Sequence, residues 1–440
     1  MDTVNTGRID GRQRLRPLVA AFWILALLAG CSEGPAPGNV HFSPDGSVAA
    51  FTYVRRINLP IPPEVPVIHS TVYLKWCTGR GWRTCREIKI DAYGRSYGPF
   101  VQARFRLMFS PDARRLAVRT PRFLEVVDLE SGARRRLTGP DETVTSLGWR
   151  GNSEIVYVVH QKNPHASGST RRIYRHPVDA PPDGRQALHV QEGYRGTYQD
   201  YVSPTGGHVI FMSEGHGNGD FQLLDVETGE VIPLGGEAGW CGGVAWKRDG
   251  TCAFCLGSRK TFLCYPGRGQ PEIKDVSAAY DATFRRRLKY APSIDPLWTP
   301  DDAYVVIQVP WIGGCLIRPD PWTVIPLGKR LVEHLEGVAH RRVYRERPDD
   351  YPFVTVQPFP GWVKVCAQFI EGQKTTPLGQ PVALAMQGFL VDYPGRRFVA
   401  VKSAVRAACN WTLTPDGRNL VTFKPGAVLA ETPLRLPEGN

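Results

Sequence analysis

A turn of the type Ser-Pro-Asp-Gly recurs along the chain, each time between two short apolar runs. Proline presets φ at the second position of a β-turn, the preceding Ser or Thr can bond the turn backbone, and Gly supplies positive φ. Each copy therefore predicts a reversal between two β-strands. Eight candidates, spaced about 40 to 67 residues apart as in a structural repeat, begin at Ser43, Ser110, Arg150, Ser203, Lys247, Thr299, Pro358 and Thr414.

A second hairpin follows the turn in the clearest repeats. Residues 124–138 and 223–234 each place Asp-x-Glu-Ser/Thr-Gly between two strands. Units of four strands repeated in this way are typical of the blades of a β-propeller, an all-β fold. The sequence predicts a single propeller over residues 39–436, built from four-stranded antiparallel blades. Eight blades are favoured; seven are the alternative, because the last repeat accommodates only three strands.

The repeats resemble the WD40-like, or TolB-like, propeller repeats. The resemblance rests on "FSPDARRLAVRT" at 109–120 and on "VIFMSEGHGNGDFQLLDVETGE" at 209–230, and it covers most of residues 39–436. It implies the propeller fold. It leaves the activity undetermined, because one such fold supports many functions.

Residues 1–30 have the organisation of a secretory signal peptide. A basic stretch at 8–17 precedes an uncharged apolar stretch at 18–30, which as a helix measures about 20 Å, short of the ~30 Å hydrocarbon core of a bilayer. The segment ends in Leu28-Ala29-Gly30-Cys31, which resembles the lipobox of bacterial lipoproteins. The resemblance implies cleavage before Cys31 and a diacylglyceryl group on its sulfur.

The residues that follow the lipobox bear on where the protein is held. Residues 31–38, "CSEGPAPG", predict a flexible tether after the lipidated cysteine. The lipid on Cys31 would anchor the chain to the membrane of the cell envelope. Ser32 follows the cysteine, and in a Gram-negative cell this favours the outer membrane, with the protein facing the periplasm.

The longest connections fall on one predicted face of the ring. In an antiparallel blade, the connections between the second and third strands and between successive blades share a face. The long irregular segments expected there are 55–70, 90–102, 161–170, 214–220, 277–293 and 328–350. Long loops on a rigid scaffold are where binding usually resides, so this face is the expected recognition surface.

Two stretches of this face are strongly basic, in a chain with a formal net charge of +12. Either stretch can form a short surface helix, and each can serve as a solvated surface or as a binding site for acidic protein, lipid headgroups or polysaccharide. No nucleic-acid-binding motif is present, so nucleic acid is not expected as a partner. The candidate binding residues are Arg285, Arg286, Arg287 and Lys289 in the first stretch, and Arg341, Arg342 and Arg345 in the second.

Motifs for common catalytic chemistry are missing from the sequence. There is no Gly-x-Ser-x-Gly elbow, His-Glu-x-x-His, P-loop or EF-hand loop. The pairs His160/His165 and His334/His340 are too easily matched by chance to predict a metal site. We therefore expect no catalytic residues, no metal and no cofactor, although the sequence does not decide whether the protein is an enzyme.

Nine cysteines remain after Cys31, and an oxidising envelope favours pairing among them. Cys77 and Cys85 flank a predicted hairpin, and so do Cys255 and Cys264. We expect a disulfide in each, provided that the Cα atoms lie within the usual range of about 4.4–6.8 Å. On a strand, Cys252 and Cys255 would point to opposite faces, which argues against a redox or zinc pair.

These features together predict a lipid-anchored propeller of the cell envelope. Its expected role is to bind another macromolecule, most simply an envelope protein, through the long-loop face. An envelope enzyme that uses the central channel, on a saccharide for example, is the alternative. A structural subunit of a larger envelope complex is a third interpretation.

Overall fold

The computed structural model contains eight β-sheets in sequence order, and each sheet is one blade of a propeller. The prediction of eight blades is confirmed. The structure describes residues 40–59, 67–79, 82–93, 105–139, 141–162, 168–194, 199–213, 219–237, 241–257, 259–267, 269–284, 296–309, 313–336, 341–343, 355–371, 384–393, 397–400, 411–424 and 428–434.

The first four blades each have four strands that pair antiparallel in sequence order. Blade 1 contains β1 His41–Phe42, β2 Val48–Leu59, β3 Val67–Thr78 and β4 Thr84–Tyr93. Blade 2 contains β5 Arg106–Phe109, β6 Arg115–Arg119, β7 Leu124–Asp128 and β8 Arg134–Arg136. Blade 3 contains β9 Glu142–Arg150, β10 Glu154–Lys162, β11 Ser169–Pro177 and β12 Gln186–Tyr194, with a 3₁₀ turn at Pro182–Gly184. Blade 4 contains β13 Asp200–Val202, β14 His208–Met212, β15 Asp220–Asp225 and β16 Val231–Glu237.

The last four blades include the two departures from the four-stranded pattern. Blade 5 contains β17 Cys241–Trp246, β18 Ala253–Gly257, β19 Thr261–Tyr265 and β20 Glu272–Asp275, followed by helix α1 Ser277–Phe284. Blade 6 contains β21 Leu297–Trp298, β22 Val305–Val309, β23 Gly313–Pro319 and β24 Trp322–Pro326, followed by helix α2 Leu327–Glu336. Blade 7 has five strands, β25 Arg341–Val343, β26 Thr355–Phe359, β27 Trp362–Glu371, β28 Leu384–Asp392 and β29 Phe398–Ala400. Blade 8 has three strands within the described ranges, β30 Trp411–Leu413, β31 Asn419–Lys424 and β32 Val428–Pro433.

The repeated turn has the hydrogen bonds that its residue types predict. Ser43 Oγ donates to Asp45 Oδ1 at 2.6 Å and accepts from the Val48 amide at 2.9 Å. Both bonds recur in the turns that begin at Ser110, Thr299 and Thr414. Gly46 occupies the left-handed region with φ of 71°, which L side chains adopt only with strain. The turn is thus fixed by residues adjacent in sequence, which is why it marks every clear repeat.

The apolar core is divided among the junctions between blades. Each of the eight hydrophobic clusters formed by the described residues joins two neighbouring blades. The cluster between blades 8 and 1 contains Val40, Val421 and Leu429. Packing therefore continues around the whole circle and closes the ring.

Tryptophans before the turns add a polar link between inner strands. The indole N–H of Trp149 donates to the carbonyl of Met108 in the preceding blade at 3.0 Å. Trp246 and Trp298 make the same bond to Tyr201 and Ala245, at 3.0 and 2.9 Å. A buried indole N–H needs an acceptor, and here the acceptor fixes one blade against the next.

Candidate binding face

Strand direction gives the ring two different faces. The connections between the first and second strands and between the third and fourth strands lie on one face. We call it the short-turn face. Its turns are brief, as at Ser43–Ser47 and Leu129–Ala133. We call the opposite face the long-loop face. It carries the connections between second and third strands and those between blades.

One long hairpin extends blade 1 on the long-loop face. Strand β1 pairs with β2 only at Ala49 and Ala50, whereas the pairing of β2 with β3 continues to Leu59 and Val67. The part of β2 that follows Ala50, up to Leu59, is about 30 Å long at ~3.3 Å per residue. The expectation of an irregular loop over 55–70 is wrong at both ends, because residues 55–59 and 67–70 are β-strand.

Blade 7 is also extended on this face. Strand β26 pairs with the first half of β27, from Trp362 to Cys366, and β25 pairs with its last residues, from Phe369 to Glu371. Strand β28 pairs along almost the whole of β27. The outer part of this hairpin is therefore a three-stranded sheet that continues the blade.

The predicted loop over 277–293 begins with helix α1, which packs between blades 5 and 6. Tyr280 and Phe284 are buried in the cluster of these two blades. Thr283 Oγ1 accepts a hydrogen bond from the indole of Trp322 at 3.2 Å. The helix therefore stabilises a blade junction, and the first part of this segment is not a free binding loop.

Helix α2 has the same role between blades 6 and 7. Leu327, Leu331 and Val332 are buried in the cluster that joins these blades. His334 stacks on Phe398 with ring centroids 5.1 Å apart. Segment 328–350 thus begins with core residues, so removing it whole would damage the ring.

The predicted basic residues fall mostly outside the described part of the chain. Arg285, Arg286, Arg287, Lys289 and Arg345 lie outside it. Arg341 and Arg342 lie on β25, where they pair with Glu371 and Ile370 of β27. Their location on a strand of the extended blade 7 replaces the expected surface helix at these two positions.

A further pair of arginines, not singled out from the sequence, lies in blade 2 where its first two strands approach the long-loop face. Arg106 and Arg119 face each other across β5 and β6. Arg106 is exposed, and a guanidinium N–H of Arg119 donates to the carbonyl of Thr145 in blade 3. Burial, together with the charge of Arg106, lowers the pKa of Arg119 to about 10. Arg119 therefore stays charged at neutral pH.

A buried polar network connects blades 3 and 4. Arg171 Nε lies 2.9 Å from Asp200 Oδ1, and His160 Nε2 lies 2.7 Å from Asp200 Oδ2, with all three side chains fully buried. Thr145 Oγ1 donates to the same carboxylate at 2.8 Å, and the Arg171 guanidinium lies 3.9 Å from the ring centroid of Tyr194. Burial raises the pKa of Asp200, but Arg171 and His160 outweigh this effect and the pKa lies below its usual value.

Only one member of each histidine pair considered from the sequence lies within the described residues. His160 contacts Asp200, and His334 stacks on Phe398. His165 and His340 lie outside the described residues. Over the ranges that the structure describes, no group of three or more His, Cys, Asp or Glu is placed to hold a metal ion.

A cleft of about 490 Å³ lies on the short-turn face around the turns of blade 2. Its carboxylates belong to the turns themselves. Asp112 accepts from Ser110 Oγ at 2.6 Å, and Asp128 accepts from Ser131 Oγ at 2.6 Å. These hydrogen bonds lower the pKa of Asp128. Asp112 and Asp128 are thus committed to turn structure.

The two predicted disulfides have different outcomes. Cys77 and Cys85 form a disulfide, with an S–S distance of 2.10 Å and directly paired positions on β3 and β4. Cys255 and Cys264 remain thiols, and that prediction is wrong. Cys264 pairs with Ala253, two residues from Cys255, and such diagonal positions lie about 7–8 Å apart, beyond the range of a disulfide.

Comparison with known proteins gives distant matches among solved structures. No protein-family model matches the chain, and no curated protein matches it. Among solved structures, an oligogalacturonate lyase in complex with manganese is 13% identical with a TM-score of 0.42, over 74% of this chain and 84% of that one. The Cps50 (Swd1) β-propeller domain of Myceliophteria thermophila is 9% identical with a TM-score of 0.44, over 77% and 95%. A nidogen/laminin complex is 11% identical with a TM-score of 0.36, over 57% of this chain and 88% of that one.

Neither helix of the described residues is both long and apolar enough to cross a bilayer. The predicted signal peptide, Cys31 and the tether up to residue 38 lie outside the described ranges. The anchor therefore depends on the sequence pattern alone.

Proposed function

We propose that the protein is a lipid-anchored propeller of the cell envelope that binds another protein through its long-loop face. The observation that carries this proposal is the difference between the two faces. The short-turn face repeats one compact turn, whereas the long-loop face carries the extended hairpins of blades 1 and 7. Irregular extensions on a rigid scaffold are the usual carriers of recognition.

The envelope location is supported by sequence and by chemistry. The lipobox-like ending at Cys31 supplies the anchor. The disulfide between Cys77 and Cys85 suits an oxidising compartment. We propose attachment to the outer membrane, facing the periplasm, if the cell is Gram-negative.

A shortened hairpin tests the proposed face without touching a blade junction. Arg56 and Ser70 are paired in the ladder of β2 and β3, so residues 57–69 can be replaced by Asn-Gly, which favours a tight hairpin turn. The control variant changes Glu130 and Arg418 to Ala, both exposed on the short-turn face.

Each variant is expressed as the full lipidated chain, cross-linked in cells and purified with its partners. We expect the wild-type chain and the control to retain the same partner protein, and the shortened variant to lose it while its melting temperature stays unchanged. Retention of the partner by a folded, shortened variant would contradict the assignment of this hairpin to the interface.

A further inference from the structure

We propose that the long-loop end of the central channel contains an oxyanion site formed by Arg106 and Arg119, which takes a carboxylate or phosphate group. The site lies on blade 2 and does not depend on the anchor or on the extended hairpins. Nothing in the sequence motifs points to it, because the two arginines belong to strands that read as ordinary blade strands.

The strand register brings the two guanidinium groups together. Arg106 and Arg119 are directly opposite on adjacent antiparallel strands, so their side chains leave the same face of the sheet with Cβ atoms about 4.5–5.5 Å apart. Met108 and Ala117, two residues along, belong to the cluster between blades 2 and 3. Both arginines therefore face blade 3, where Thr145 accepts a hydrogen bond from Arg119.

Like charges directly opposite on a sheet are destabilising unless an anion lies between them. Arg106 is exposed and has no hydrogen bond or ion pair within the described residues. Three acidic side chains of blades 2 to 4 that the structure describes are engaged with other arginines. Glu125 binds Arg134 at 2.7 Å, Glu142 binds Arg185 at 2.8 Å, and Asp200 binds Arg171 at 2.9 Å. Among the residues that the structure describes, the charge of Arg106 is therefore exposed and has no counter-ion.

The charge of Arg106 also acts on His41 of blade 1. His41 pairs with Ala50, a member of the cluster between blades 1 and 2, and so faces blade 2. Burial and the charge of Arg106 lower the pKa of His41 to about 4. At neutral pH its imidazole is uncharged, so it adds no positive charge to that of the arginine pair.

The chemistry of the pair selects the ligand class. A guanidinium presents a planar fork of N–H donors that matches the oxygens of a carboxylate or phosphate. Two sources can supply such a group, namely acidic side chains of a polypeptide and free phosphate. The probes below distinguish these sources.

The test is calorimetric titration of the purified full chain in detergent at low salt, with inorganic phosphate and with a hexaglutamate peptide. The variants are Arg106→Gln, Arg106→Lys and the control Arg418→Gln, an exposed arginine of the short-turn face. We expect at least one probe to bind the wild type and the control equally, and Arg106→Gln to weaken binding about tenfold or more. Arg106→Lys should fall between them, because it keeps the charge and loses the fork.

Each result bears on the proposal. Tighter binding of phosphate identifies a small free anion, and tighter binding of the peptide identifies acidic polypeptide; both support the site when Arg106→Gln weakens them. The proposal is overturned if neither probe binds the wild type, if Arg106→Gln binds like the wild type, or if Arg418→Gln loses as much affinity as Arg106→Gln. Loss of the partner in the shortened hairpin is a separate result, so the two proposals can fail independently.

Discussion

The side chains of Arg171 in blade 3 and Asp200 in blade 4 form a fully buried ion pair, with Arg171 Nε 2.9 Å from Asp200 Oδ1. Arg171 also donates to the carbonyl of Met212 at 2.6 Å and to Gln191 Oε1 at 2.8 Å. Removal of one member of such a pair leaves a buried charge without its partner. The buried polar network at the junction of blades 3 and 4 therefore depends on a single carboxylate.

Asp200→Asn should therefore lower the free energy of unfolding by about 3–5 kcal/mol. The double variant Asp200→Asn with Arg171→Met should recover part of the loss, because it removes the stranded charge. Urea unfolding measures both. Asp416→Asn, in an exposed turn, is the control and should cost under ~1 kcal/mol. Equal effects of the buried and the exposed substitution would contradict the role of the pair.

Reduction of the Cys77–Cys85 disulfide should destabilise blade 1. The bond closes a loop with a sequence separation of 8, for which loss of chain entropy in the unfolded state predicts about 2 kcal/mol. Thermal melts with and without reductant measure the effect. Cys77→Ser with Cys85→Ser should melt below the oxidised wild type and respond less to reductant, with a residual response because Cys366 is also disulfide-bonded. Cys255→Ser with Cys264→Ser should leave that response intact, since these residues are thiols.

Lys364 should make the free energy of unfolding change with pH in the alkaline range. Its side chain is buried against Trp411, with Nζ 4.6 Å from the ring centroid, and burial lowers its pKa from 10.5 to about 8. Between these two values the unfolded chain binds more protons than the folded chain, so the free energy of unfolding rises with pH. The contribution of Lys364 should grow by about 2 kcal/mol between pH 7.5 and 9.5.

The matched variant is Lys364→Met, which keeps a long side chain and removes the titrating amine. Urea unfolding of both proteins at the two pH values gives the difference, in which the titration of other groups cancels. A parallel pH response of wild type and variant would show that Lys364 does not titrate in this window.

Cys31→Ser should release the protein from the membrane. The lipobox-like sequence predicts that the anchoring acyl group is attached to this sulfur, and more than one acyl chain is needed for firm binding. Fractionation of cells that express each variant provides the measurement. Ser32→Ala is the neighbouring control and should stay with the membranes. Persistence of Cys31→Ser in the membrane fraction would mean that the chain is held by other means.

The features that could be predicted from the sequence have local causes. The turn at Ser43 is fixed by hydrogen bonds to Asp45 and Val48, and its repetition sets the number of blades. The disulfide of Cys77 and Cys85 also spans one short hairpin. In such cases residues close in sequence carry the whole arrangement, so the pattern of residue types is enough.

The features that were missed depend on register or on distant residues. Arg171 reads as a surface arginine, and only the fold brings Asp200 of the next blade to it. The diagonal offset of Cys255 and Cys264 follows from the pairing of β18 with β19, which residue spacing alone does not determine. The opposition of Arg106 and Arg119 across β5 and β6 arises in the same way. The sequence allowed short surface helices in these two segments but did not reveal their burial, because their apolar residues find contacts only beside the neighbouring blade.

The junction of blades 8 and 1 differs from the other seven in one respect. Elsewhere the chain itself runs from one blade into the next, but Val40 meets Val421 and Leu429 only through side-chain packing. Local opening at this seam would expose apolar surface without breaking a β-ladder or stretching a connecting segment. Retention of the circular shape therefore depends on the packing of this cluster, in which the aromatic side chains of Phe51, Tyr53 and Trp82 lie with the aliphatic ones.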